Sequence, residues 1–312
     1  MQKIVEAKWI KFLLKKSKAW SIPGFAGLPI YDVVHFIVGQ INTVGLRDRA
    51  SSIAFNFIMA IPASAIFLFT LLPYFPFSER IFNELNRLIS EAMPNPESRE
   101  LIVTNLNELL NIPKNGLLSL GFILALYYSS NAMAGIIRAF DKSLPEKRKG
   151  NFFIYRWRAI RLTMVLLLLL VGTIILTIGQ GELFKKLLLS FEIRRTTTIF
   201  WLGVIRFLLT VSLFLFSIAL IYKYAPSVHK RWKLISPGAI LATVLIMLAT
   251  WLFSIWAQSF ATYNKVYGSV GALLLVMLLM FYNALMLLIG YELNVSIHHL
   301  KWQADKRKKH SK

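Results

Sequence analysis

Apolar positions in this chain fall into long unbroken blocks. The most complete is residues 270–289, which carry neither a charge nor a proline. At about 1.5 Å per residue, such a helix reaches across a hydrocarbon core of about 30 Å. Inside hydrocarbon every backbone amide must find its partner within the protein, and an unbroken apolar run of this length does so as a helix. Five further blocks, 53–75, 117–140, 162–178, 198–222 and 237–260, repeat the pattern. They predict an all-α polytopic transmembrane bundle of six spans, within residues 50–297.

Shorter stretches show one apolar face only. In residues 2–20, Lys8, Lys11, Lys15 and Lys18 share one side, and Val5, Trp9, Phe12 and Leu13 another. This predicts a helix lying on a membrane surface. Ile30, Val33, Val34, Ile37, Val38 and Ile41 give a second amphipathic helix. Residues 1–49 are therefore read as a cytoplasmic amphipathic segment. Between about 78 and 113 the chain turns soluble in character. Ile81, Phe82, Leu85 and Leu88 form one stripe, and Ile102, Leu106 and Leu109 form another after Asn95 and Pro96. Asparagine then proline is a helix start, so a helical hairpin outside the membrane is expected. Residues 298–312 form a basic tail.

Within the spans, the exceptions to apolarity carry the information. Pro62 removes a helix hydrogen bond and is expected to kink the first span. Gly121, Ala125 and Ser129 recur every fourth residue, a seam for close helix packing. Asn131, Arg206 and Asn283 lie within spans, and Glu292 lies just past the last apolar run. A charge at mid-membrane costs at least about 2.5–3.5 kcal/mol unless paired or wetted. Arg206 is thus either an anion contact in a cavity or a side chain snorkelling to the interface. Glu292 is either a proton or cation site, or a structural partner for Arg49 or Arg138. The asparagines are cavity-lining donors or interhelical hydrogen-bond partners.

Composition agrees: 56% of residues are hydrophobic and 16% charged, against about 25% charged in soluble domains. The net charge of +21 in a soluble protein would suggest nucleic acid. In a membrane protein it marks cytoplasmic loops and anionic lipid head groups, and nucleic acid is not expected as a partner. Lys and Arg concentrate before the first span, in the loops after the second and fourth, and after the sixth. Both termini are therefore expected in the cytoplasm, and the hairpin at about 78–113 in the periplasm. The chain has no cysteine, which excludes thiolate chemistry, and its N-terminus has no apolar core of signal-peptide length.

Catalytic motifs are missing from the sequence. There is no phosphate-binding G-x-x-x-x-G-K-[ST] and no H-E-x-x-H. His298 and His299 are adjacent and so point to different helix faces, which disfavours a shared metal. A metal-dependent ribonuclease needs a clustered His/Asp set. No enzyme activity, cofactor or metal is expected.

The stretch YGSVG (267–271), the Leu/Met/Val run after it, and the ending Gly290-x-Glu292-Leu293-Asn294 resemble the last span of the YihY/BrkB family. Its members are bacterial inner-membrane proteins, once labelled ribonuclease BN-like, with a transport role suggested for some. The resemblance covers roughly residues 47–297 and implies a multi-pass protein of the bacterial inner membrane. The resulting expectation is a transporter or exporter of an anionic or lipid-like substrate, without its own ATPase. The alternative is a structural or envelope-assembly membrane protein with no transported substrate. Either is compatible with a homo-oligomer.

Overall fold

The computed structural model describes residues 29, 31, 45–71, 74, 86, 99–100, 103–104, 115–144, 151–190, 195–228, 232–259 and 264–310. The amphipathic segments expected before residue 45 and most of the 78–113 hairpin lie outside these residues. Six long helices make up the described chain: α1 (Leu46–Leu71), α2 (Asn115–Ser143), α3 (Phe152–Ser190), α4 (Arg195–Tyr224), α5 (Pro237–Ser259) and α6 (Asn264–His310). Five stretches among the described residues are long and apolar enough to cross a bilayer: Leu46–Leu68, Leu118–Ser143, Gly203–Tyr224, Pro237–Ala257 and Leu273–Gln303. α3 contains the apolar block 162–178. The protein is an all-α polytopic bundle.

Its surface has the character that a bilayer requires. Along α5, Ile240, Val244, Leu248, Trp251, Leu252 and Ile255 are all exposed. An apolar stripe of that length would be an aggregation site in water.

The helix starts follow local chemistry. Gly45 adopts a left-handed φ of 61°, which glycine reaches without steric cost. Its carbonyl accepts the first helical hydrogen bond, from the Arg49 amide at 3.2 Å. Asp48 stands in the first turn, where a negative charge favours the helix dipole. This start places Arg49 one turn into α1. The other end of the bundle's sequence holds a difference from expectation. α6 has 47 residues, about 70 Å of helix, more than twice the hydrocarbon thickness. The basic tail therefore continues the last span as helix as far as His310. Along that extension Lys306 Nζ sits 5.1 Å from the centre of the Trp302 ring, and the Gln303 amide meets His299 at 2.9 Å.

The chain divides into two compact units. One comprises residues 55–133, the other residues 1–54 with 134–312. In the first, the small-residue seam of α2 packs on α1. A Cβ on Gly121 would stand 3.3 Å from the Phe67 Cα, and the Ser64 and Ser129 hydroxyls meet at 3.4 Å. α1 runs through Pro62 as one helix. The second unit carries most of the buried polar groups, Arg49 and Glu292 among them.

Candidate functional site

At the end of the apolar run of α6, Glu292 is wholly buried. Its Oε1 lies 2.7 Å from Arg49 Nη2, with side-chain exposures of 0% and 4%. Arg49 Nη1 donates to the Ala139 carbonyl at 2.7 Å and to the Ser143 hydroxyl. Ser143 in turn donates to Glu292 Oε1. One arginine thus ties the first turn of α1 to the last turn of α2 and to α6. The satisfaction is one-sided: Glu292 Oε2 and Arg49 Nε are buried without a hydrogen-bond partner, as is the neighbouring Tyr291 hydroxyl.

An aromatic cluster walls this pair. The Tyr291 ring lies flat on Phe140, centroids 3.8 Å apart. Tyr222 meets both edge-on, at 5.6 Å from Phe140 and 5.8 Å from Tyr291, and Trp232 lies 5.3 Å from Tyr291. The Tyr222 hydroxyl donates to the Leu287 carbonyl. Apolar walls lower the local dielectric, which strengthens the ion pair and raises the penalty for breaking it.

Two further polar locks surround the cluster. The Asp141 carboxylate accepts from the Ser227 amide and hydroxyl, both at 2.8 Å. Arg158 Nη1 donates to the Ser227 hydroxyl at 2.7 Å. This joins α2, α3 and the turn after α4. The second lock holds the start of α5. Ser236 is its N-cap, accepting from the Ala239 amide at 3.3 Å, and Pro237 opens the helix. Asn294 of α6 completes the cap, accepting from the Gly238 amide at 2.9 Å and donating to the Ser236 hydroxyl at 2.8 Å. An α5 amide that a helix start leaves unpaired is satisfied by the neighbouring helix.

The Gly-x-Glu-Leu-Asn run thereby gains a physical reading. Gly290 lets α5 approach, Glu292 holds Arg49, Leu293 packs with Ile297 in the core, and Asn294 caps α5. Of the residues singled out from sequence, Arg49 and Glu292 meet. Arg138 is exposed and acts instead on Tyr155. Burial pushes the Tyr155 phenol above its ordinary pKa, while the Arg138 charge and hydrogen bond pull it back and the Asp141 charge adds to the rise. Asn283 is half-buried on α6 and accepts from Thr250 at 3.3 Å. Asn131 is half-buried on α2, in the other unit. Arg206 lies in α4, and its side chain is outside the described residues. His298 and His299 face different neighbours, Trp232 and Trp302. Among the described residues no group of three His, Cys, Asp or Glu could hold a metal ion.

Sequence reading missed Ser143, Asp141, Arg158 and Ser227. Asp141, an acid in the last turn of an apolar helix, and the Ser-Pro pair at 236–237 were visible signals. Ser143 and Ser227 carry no pattern that marks them.

The family model for Virulence factor BrkB matches residues 37–312. The chain belongs to the BrkB family. This BrkB-family chain is similar to YfkH of Bacillus subtilis (strain 168), a protein named as ribonuclease-like. The two are 25% identical over 267 residues, 85% of this chain and 94% of YfkH. It is also similar to a UPF0761 membrane protein of Xanthomonas campestris pv. campestris (strain B100), 23% identical over 268 residues. That alignment covers 83% of this chain and 59% of the longer relative. A UPF0761 membrane protein of Xanthomonas oryzae pv. oryzae (strain PXO99A) is 31% identical over 88 residues, 28% of this chain and 21% of the relative. No solved structure matches the chain. With its membrane-named relatives and apolar helices, this is a multi-pass membrane protein.

Proposed function

We propose that the protein is a six-span bacterial inner-membrane transporter or exporter, with both termini cytoplasmic and no ATPase of its own. Its substrate class is anionic or lipid-like. The observation that carries this reading is the buried Arg49–Glu292 pair, in which Glu292 Oε2 and Arg49 Nε have no partner. An ionisable residue within a membrane bundle is by default a hypothesis of function. A buried polar atom left without a partner calls for an ion, a water, or a second state in which it finds one. A site that exchanges partners during a transport cycle leaves such atoms in each resting state. The sequence offers no metal cluster for nuclease chemistry, so the chain is read as a carrier and not as an enzyme.

A second reading has its own support. The interlocking of α5 and α6 through Gly238, Gly290 and Asn294 suits a rigid scaffold for envelope assembly. Purified protein in proteoliposomes separates the two. The transport reading expects movement of an anionic fluorescent lipid analogue, or of small anions, above that of protein-free vesicles. It also expects loss of that movement in Arg49→Gln. Vesicles as tight as empty ones across the panel leave the scaffold.

A further inference from the structure

α3 buries one face and exposes another. Ala159, Leu162 and Thr163 are buried in the bundle. On the exposed side lie Phe153 (81% exposed), Trp157 (59%), Met164, Val165 and Leu168 (73%). With position 161 between Trp157 and Met164, these positions follow the helical repeat and form one continuous stripe. The stripe holds one charge, Arg161, which is also exposed. Arg161 has no hydrogen-bond or ion-pair partner among the described residues.

Exposed aromatic residues of this kind mark the head-group level of a bilayer, and the aliphatic residues beyond mark hydrocarbon. Arg161 lies four residues past Trp157, about 6 Å further along the axis, where the aliphatic stretch begins. Side chains on a helix lean toward its N-terminus, so Arg161 leans back toward the level of Trp157. A guanidinium at this boundary has lost much of its water and needs an anion. Phosphate suits it, because its oxygens match the planar fork of donors. Lys142 adds an exposed cation at the end of α2, which is joined to the start of α3 through Asp141, Ser227 and Arg158. The surroundings therefore favour a lipid of net negative charge.

We propose that Arg161, flanked by Trp157 and Met164, binds the phosphodiester head group of an anionic phospholipid, whose acyl chains lie along Val165 and Leu168. The aliphatic continuation of the stripe is the reason for assigning a lipid and not a free phosphate. The inference is independent of whether the protein transports anything.

The test is native mass spectrometry of the full-length protein in detergent, titrated with phosphatidylglycerol or phosphatidylcholine. Wild type is expected to retain phosphatidylglycerol over phosphatidylcholine. Arg161→Gln should lower that retention about fivefold, the weight of one surface cation. Arg161→Lys should lose less, and Lys301→Gln, an exposed lysine on the extension of α6, should lose nothing. Unchanged phosphatidylglycerol binding in Arg161→Gln overturns the proposal. So does displacement by millimolar inorganic phosphate, or a dimer that Arg161→Gln dissociates, since the occupant is then a free ion or a second copy. Should Arg161→Gln fail to fold, wild type decides alone. Preference for phosphatidylglycerol that fades in about 0.5 M salt supports the site, and equal retention of both lipids refutes it.

Discussion

Gly238 of α5 and Gly290 of α6 meet backbone against backbone. A Cβ added to Gly238 would stand 2.1 Å from the Gly290 carbonyl oxygen. A Cβ added to Gly290 would stand 2.6 Å from both the Gly238 carbonyl oxygen and the Ala242 Cβ. The obstacles are backbone and a short side chain, which cannot swing aside. Close approach through small residues is how membrane helices gain packing energy, since lipid supplies no hydrophobic drive between them.

The first prediction follows directly. Gly290→Ala forces the two helices apart and should destabilise the protein by about 1–3 kcal/mol or more. Gly172→Ala, at a position with open space around it, is the matched control. Thermal unfolding in detergent reads both. Equal melting temperatures for the two variants would show that the helices do not meet as described.

Asn294 makes two bonds to the start of α5, and they can be separated. Asn294→Asp keeps the acceptor for the Gly238 amide and loses the donor to Ser236. Asn294→Ala loses both. Removing a cap costs about 0.5–2 kcal/mol, so Ala should lie below Asp, and Asp below wild type, in thermal stability. Hydrogen exchange localises the effect: the Gly238 amide should exchange faster in Asn294→Ala alone. Uniform loss of protection along α5 in both variants would point to general loosening instead of a lost cap.

The topology carries its own test. Six spans with cytoplasmic termini place reporter fusions at Lys312 and within residues 90–100 on opposite sides of the membrane. Fusions at Arg148 and Glu192 ask whether α3 crosses, and should also report opposite sides. A shared side for either pair removes the six-span arrangement.

How much of this was written in the sequence depends on what each residue answers to. The helices were legible because hydrocarbon imposes one rule on every lipid-facing position, and a run such as 270–289 obeys it visibly. Helix ends were less so. α1 starts at Leu46, several residues before its apolar block, because Gly45 and Asp48 supply a start that hydropathy ignores. α6 passes through the membrane surface without a break, since nothing after Ile297 is a glycine or a proline to stop it. The site was half legible. Glu292 draws notice as a charge at the end of an apolar run, and Arg49 was one of two arginines named as its partner. Choosing between them required the path of α2, which presents Ala139 and Ser143 to Arg49 and leaves Arg138 exposed. Ser227 was invisible, because a serine in a loop announces nothing until Asp141 and Arg158 converge on it.

The last prediction uses the one-sided bonding of Glu292 to separate packing from transport. Glu292→Gln removes the charge opposite Arg49 and leaves a buried guanidinium with neutral acceptors only. Breaking a buried pair from one side costs about 3–5 kcal/mol, so folded yield and melting temperature in detergent should both fall. Arg49→Met should fall likewise, by leaving the carboxylate unpaired. The double variant Arg49→Met/Glu292→Leu removes both desolvation penalties at once. It should recover much of the loss, and the non-additivity measures the coupling of the two residues. That stable, apolar double variant is then the informative protein for function. If the unpartnered Oε2 and Nε serve a transport cycle, it folds and moves nothing in proteoliposomes that wild type moves. Flux per folded molecule equal to wild type would confine the pair to holding the first turn of α1 and the last turn of α2 against α6, and the transport reading would lose the observation that carries it.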